Sequence, residues 1–231
     1  MPKRKLQRFA EMKTFTNVLQ PDYSDVLCKQ HALKGKWRDT YFKNDHPLIL
    51  ELGCGKGEYT VGLAQHYTEK NFIGVDIKGA RIWKGARKAL VEEMHNVAFL
   101  RTHIELINSF FSTSEADEIW LTFPDPQPKK ERKRLTSPRF LRSYQQFLKN
   151  NGRIHLKTDN SRLYQYTLNV ASFNECNIIY HTEDLYHSGM QDDILQIKTF
   201  YEQQFLRQGM KIHYLCFELP NERTIKETIA G

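Results

Sequence analysis

Four cysteines are all that the 231 residues contain, and Cys28, Cys54, Cys176 and Cys216 form no CxxC pair. That spacing offers neither a zinc ligand set nor a disulfide framework, so no metal site is expected and free thiols fit a reducing cytoplasm. No stretch approaches the ~18 consecutive apolar residues of a membrane span. The start, Met1-Pro2-Lys3-Arg4-Lys5, is basic, but no apolar segment follows it as a secretory leader would require. Internal repeats and low-complexity tracts are missing too, which sets aside solenoids and disordered linkers. What the chain does have is 40% hydrophobic residues, ample for a packed core, and a net charge of +7. A positive balance of that size favours an anionic partner such as nucleic acid.

Apolar runs over 48–52, 71–76, 97–100, 118–122, 152–158, 176–180 and 213–219 read as strands. Helical patterns over about 58–67, 78–94, 138–149, 162–171 and 199–207 fall between most of them. This alternation predicts a Rossmann-like, doubly wound α/β fold: a mainly parallel seven-stranded sheet with helices on both faces. Residues 1–45 lack the rhythm. With Lys3, Arg4, Lys5, Arg8 and Lys13 they read as a basic, partly mobile arm ahead of a domain spanning 46–231.

Two loops carry chemistry. Gly53-Cys54-Gly55-Lys56-Gly57 follows the first strand, where open α/β sheets bind ligands. Its GxGxG spacing brings the third glycine one residue earlier than the dinucleotide fingerprint does. No Lys-Ser/Thr pair follows, which excludes a P-loop. Asp76 ends the second strand about 20 residues on, where an acid can bind a ribose diol. An adenosine-containing ligand is the reading these features favour. Glu51, in a buried strand, is costly without a partner. The second loop, Phe123-Pro124-Asp125-Pro126-Gln127-Pro128, holds one carboxylate between prolines that fix φ and restrict their neighbours. Seven Lys or Arg against one acid follow, from Lys129 to Arg142. With Lys3, Arg4, Lys5 and Arg8 they read as phosphate contacts. Lys78, Arg81, Lys84, Arg87 and Lys88 fall on one helix and read instead as its solvated face. Asp125 could also be an ordinary turn aspartate bonding nearby N–H groups, and Asp159 a helix cap.

Glu51-Leu52-Gly53-Cys54-Gly55-Lys56-Gly57 resembles the first motif of class I S-adenosylmethionine-dependent methyltransferases. Joined to Phe123–Lys130, His155-Leu156-Lys157-Thr158-Asp159-Asn160 and Thr199-Phe200-Tyr201-Glu202, it resembles the bacterial tRNA guanine-N7 methyltransferase family. That family modifies a guanine at tRNA position 46, in the variable loop. The resemblance spans about 47–218 and implies S-adenosylmethionine as cofactor and tRNA as partner. It implies cofactor contacts from Glu51, Gly53, Gly55, Asp76, His103 and Asp125, and substrate contacts from Lys129, Asp159, Thr199 and Glu202. Two residues depart from the family pattern. Gln127 stands where a tryptophan is usual, and His103 where an acid or amide commonly sits. The basic loop after Lys130 is also shorter than usual.

The chemistry constrains Asp125 further. Guanine N7 has an in-plane lone pair and no hydrogen to lose, so its methylation needs alignment and negative electrostatics rather than a general base. Asp125 is therefore expected to orient the acceptor and stabilise developing positive charge. An exocyclic-amine methyltransferase is one rival, though Asp125-Pro126-Gln127-Pro128 lacks the adjacent prolines and aromatic typical of those enzymes. An RNA-binding module with a vestigial cofactor fold is the other. Monomer and homodimer are both compatible with the sequence.

Overall fold

The computed structural model describes residues 2–227 except 29 and 191, without the side chains of residues 2–4, 25 and 28. Lys3, Arg4 and Cys28 as side chains therefore lie outside the described residues. The chain runs α1 (Pro2–Met12), β1 (Val18–Leu19), α2 (Tyr23–Cys28), β2 (Leu48–Leu52), α3 (Glu58–His66), β3 (Asn71–Asp76), α4 (Gly79–Val91) and β4 (Val97–Arg101). It continues through β5 (Ala116–Thr122), α5 (Pro138–Tyr144), β6 (Leu148–Thr158), α6 (Ser161–Phe173), β7 (Asn177–Thr182), α7 (Phe200–Arg207) and β8 (His213–Leu219).

The described residues form one sheet of order β1-β4-β3-β2-β5-β6-β8-β7. Five of its pairings are parallel; only β6 with β8 and β7 with β8 are antiparallel. Successive strand residues point to opposite faces. Leu48, Leu50 and Leu52 thus enter the core beneath α5 and α6, while Ile49, Phe72 and Phe99 enter the one beneath α3 and α4. The strand order reverses direction at β2, which pairs with β3 on one side and β5 on the other. In a doubly wound sheet the ligand crevice opens at such a switch point, outside the carboxyl ends of the strands.

The structure differs from the sequence reading at two places. The helix expected over 138–149 stops at Tyr144. Ala116 N–H donates to the Phe147 carbonyl at 3.0 Å and Leu148 pairs with Ala116, so the sheet claims the last residues of the apolar pattern. The segment 1–45 is also more built than an arm. Val18 and Leu19 add an eighth strand beside β4, and Trp37 is fully buried with its Nε1 donating to the Phe110 carbonyl at 2.8 Å. Met12 of α1 is buried against α4, where a Cβ on Gly79 would stand 2.9 Å from Met12 Cε.

Candidate active site

The glycine loop turns back over the end of β3, with the N–H groups of Gly53 and Cys54 both donating to the Val75 carbonyl at 2.8 and 3.1 Å. Its glycines do two different jobs. Gly53 has φ +81°, and a Cβ there would meet only Leu135 at 3.8 Å. Its requirement is conformational, and it leaves open ground above the backbone. Gly57 is a packing glycine, because a Cβ there would stand 2.5 Å from the Phe99 ring.

Asp76 is held by that loop. Its Oδ2 accepts from Gly55 N–H at 2.9 Å and its Oδ1 from Lys78 N–H at 2.7 Å. Each carboxylate oxygen retains further acceptor capacity, as a ribose diol would need. Glu51 lies behind the loop, only 3% exposed. It accepts from Thr60 N–H at 2.8 Å and from the hydroxyls of Thr60 and Thr122. Burial pushes its carboxyl up to about 7 despite those bonds.

At the carboxyl edge lies a cavity of about 600 Å³. Gly53, Asp76, His103, Asp125 and Asp159 border it, with Lys78, Arg81 and Lys133 at its cationic parts and Phe123, Phe140, Tyr201 and Phe205 as apolar wall. Carboxylates from the ends of β3, β5 and β6 therefore meet at one concave site. His103 is exposed there, edge-on to the Tyr23 ring with centroids 5.6 Å apart. Asp125 accepts from Gln127 N–H at 3.0 Å, which is the local turn bond, yet its residue still borders the cavity. Gln127 borders it too, and the aromatic surface comes instead from Phe123 and Phe205, whose rings lie 5.8 Å apart. Burial raises the Asp159 carboxyl. Asp159 is not the cap of α6; Asn160 fills that role, accepting Leu163 N–H at 2.8 Å.

Glu51, Gly55, Lys129, Thr199 and Glu202 do not line the cavity. Lys129 is exposed beyond it, and Lys133 of the same basic segment reaches it instead. That segment is also less uniform than its composition implies. Arg134 is buried: its Nε donates to the Pro126 carbonyl at 2.9 Å, Nη1 to Glu131 at 2.8 Å, and its guanidinium lies 4.2 Å from the Tyr166 ring centroid. It fastens the proline loop rather than facing solvent.

Thr199 and Glu202 form a capping box at the start of α7, with Thr199 Oγ1 accepting Glu202 N–H at 3.2 Å and Glu202 Oε2 accepting Thr199 N–H at 3.3 Å. Glu202 is fully buried against the equally buried Lys157, 2.8 Å away, and accepts from Tyr186 OH at 2.5 Å. Lys157 Nζ also donates to the carbonyls of Leu195 (2.7 Å) and Ile197 (3.1 Å). Burial pulls the Lys157 ammonium down, opposed by the Glu202 carboxylate. The pair joins β6 to α7, and so holds Tyr201 and Phe205 in the cavity wall. The sequence signal for it was a lysine inside the apolar run Ile154–Thr158, a position no charge occupies without a partner.

A family model described as "Putative methyltransferase" matches residues 45–215. Among solved structures, the 16S rRNA methyltransferase KamB superposes with TM-score 0.61 at 13% identity, covering 80% of this chain and 92% of that one. An antibiotic-related methyltransferase gives 0.58 at 15%, covering 82% and 96%. At those identities the likeness is one of fold. Sequence relatives are far nearer. The tRNA (guanine-N(7)-)-methyltransferase of Bacteroides thetaiotaomicron is 52% identical over 227 residues, 98% of this chain and 90% of that protein. That of Christiangramia forsetii is 50% identical over 220 residues, 94% and 98%. Identity at that level over nearly the full length of both partners leaves one conclusion: the chain belongs to the tRNA (guanine-N(7)-)-methyltransferase family.

Proposed function

We propose that the protein transfers a methyl group from S-adenosylmethionine to N7 of a guanine in the tRNA variable loop, at tRNA position 46. The observation that carries this reading, beside family membership, is the convergence of Asp76, Asp125 and Asp159 on one cavity at the carboxyl edge of the sheet. The residues fit the cofactor. Gly53 offers an approach free of side chain, and Asp76, already oriented by two backbone N–H groups, presents a carboxylate to the ribose. His103 and Asp125 border the same space, while Glu51 and Gly55 act from behind by holding the loop and Asp76 in place. When bound, the cofactor supplies an electrophilic methyl on a sulfonium.

The chain's own residues supply alignment. Asp125 orients the guanine and puts negative charge where the purine becomes cationic; no proton has to be removed. Asp159, on the other side of the strand β5 and β6 pairing, assists in holding the base. Lys129 and Lys133 take phosphates at the cavity mouth. Thr199 and Glu202 serve by fixing α7, whose Tyr201 and Phe205 form the aromatic wall. A tRNA substrate carries with it a cytoplasmic location; among the described residues no helix is long and apolar enough to cross a membrane.

Single-turnover methylation of unmodified tRNA tests the role of Asp125. Asp125→Ala is expected to lose roughly a hundredfold or more in rate, the scale of a lost electrostatic contact at the reacting centre, with little change in tRNA affinity. Asp125→Asn should retain more than Ala, because the amide keeps shape and hydrogen bonding. An Asn variant as inactive as Ala, with an acid limb in the wild-type pH profile that vanishes in both, would instead establish a general base.

A further inference from the structure

On the far side of the glycine loop lies a second cavity, of about 360 Å³, lined by Lys56 and Gly57 of the loop, by α3, by α4 and by the start of α7. Four lysines line it (Lys56, Lys84, Lys88 and Lys198) with one lining carboxylate, Glu58, while Glu92 stands outside the lining 3.8 Å from Lys88. Close packing creates the gully. A Cβ on Gly85 would stand 2.7 Å from the Lys56 carbonyl, so α4 meets the loop with no side chain between them. Glu58 is already engaged, by Lys84 at 2.7 Å and by Phe200 N–H at 2.8 Å. Lys56 and Lys198 face rings, with Lys56 Nζ 3.8 Å from the Phe200 centroid and Lys198 Nζ 4.7 Å from that of Tyr186. Among the described residues neither has a carboxylate partner.

The two cavities are joined by a helix. Lys78 and Arg81 of the turn before and the first turn of α4 line the catalytic cavity, and Lys84 and Lys88 line the second. Steps of three, three and four residues put these cations on one stripe of the helix surface. Arg87 is off that stripe and is instead 3.7 Å from Glu11. From 78 to 88 the helix rises about 15 Å, the axial length of four or five stacked nucleotides at ~3.4 Å each. The face is solvated, as the sequence suggests, and its cations run from the first cavity to the second.

We propose that the second cavity is a phosphate subsite for the RNA substrate, gripping backbone several nucleotides away from the guanine being modified. Lys56, Lys84, Lys88 and Lys198 supply the charge, and Phe200 supplies an exposed ring beside them. The proposal rests on the tRNA reading above and deepens it. Phosphate contacts of this kind add affinity and register without reading sequence.

The test compares Lys88→Gln/Lys198→Gln with Lys70→Gln/Lys149→Gln, which removes the same charge at the amino ends of β3 and β6. Wild-type tRNA affinity and methylation are measured first. If wild type neither binds nor methylates tRNA, the functional reading fails and this proposal falls with it. If wild type is active, the Lys88/Lys198 variant should bind tRNA roughly three- to tenfold more weakly at ~0.1 M salt. Its slope of log affinity against log salt should be shallower by about 1.5, as for two lost phosphate contacts. S-adenosylmethionine affinity and the melting temperature should stay at wild-type values, and Lys88→Arg/Lys198→Arg should restore the slope. An active wild type, with a Lys88/Lys198 variant whose slope matches that of the Lys70/Lys149 control, would overturn the subsite alone.

Discussion

Replacing Lys157 by methionine probes the contact that ties the sheet to α7. The ammonium is fully buried, 2.8 Å from an equally buried Glu202, and it also satisfies the carbonyls of Leu195 and Ile197. Methionine fills similar volume but leaves Glu202 with only Tyr186 OH and the Thr199 N–H around its charge. Removing one partner of a buried pair costs about 3–5 kcal/mol. That is a large share of the roughly 5–15 kcal/mol by which a domain is stable. Replacing both, as Lys157→Met/Glu202→Leu, removes the stranded carboxylate, so the double variant should be more stable than Lys157→Met by at least ~1 kcal/mol. Urea denaturation followed by fluorescence measures this, provided the m-values agree. In the folded fraction of Lys157→Met, loosening of Tyr201 and Phe205 should appear as a raised KM for tRNA. A single variant that costs under ~1 kcal/mol, or a double variant no more stable than Lys157→Met, would refute the account. If Glu202→Gln keeps full stability but loses kcat, Glu202 touches substrate rather than holding α7.

Four further outcomes are expected. Asp76→Ala should weaken S-adenosylmethionine by roughly 1–3 kcal/mol, the worth of a hydrogen bond to a charged group, read by calorimetric titration. Glu51 binds more protons folded than unfolded between its ordinary value near 4.5 and about 7, so stability should fall as pH rises through that window. At ~1.36 kcal/mol per pH unit the ceiling is about 3 kcal/mol, and Glu51→Gln should flatten the profile in denaturation series from pH 4.5 to 8. Deleting residues 1–13 removes the buried Met12 and should lower stability by about 1.5–3 kcal/mol. Charge-only variants at Lys5 and Lys13 should change the salt dependence of tRNA binding and leave stability intact.

The sequence exposed those parts of the molecule whose cause is local. Leu48–Leu52, Asn71–Asp76 and His213–Leu219 are strands over the ranges their apolar runs mark. The glycine loop and Asp76 meet because a βαβ unit brings the ends of β2 and β3 together. What stayed hidden depends on distant partners. Val18 and Leu19 make a strand only because β4 offers an edge. Phe9 and Met12 look like breaks in a charged tail until Gly79 gives them a floor. The apolar residues Phe147 and Leu148 continue a helical pattern equally well as they start a strand, and pairing with β5 decides. Asp125 and Asp159 border the cavity because strand ends converge there; Lys133 and Tyr201 lie in segments the sequence marks without singling out their side chains, and nothing in the sequence points to Phe205. Their place in the cavity is set by the burial of Lys157 against Glu202 and by the fold of a turn.

Arg134 has a mechanical consequence. It bonds the Pro126 carbonyl on one side and Glu131 on the other, so the carboxylate loop and the basic turn are tied through one side chain. Phosphates drawn onto the turn would then tug on Asp125 itself. A minimal guanine-bearing fragment, lacking those phosphates, would leave that tie unloaded. If Asp125 has the role proposed for it, such a fragment should react slowly even at saturation, since RNA held on the turn would help to place the carboxylate.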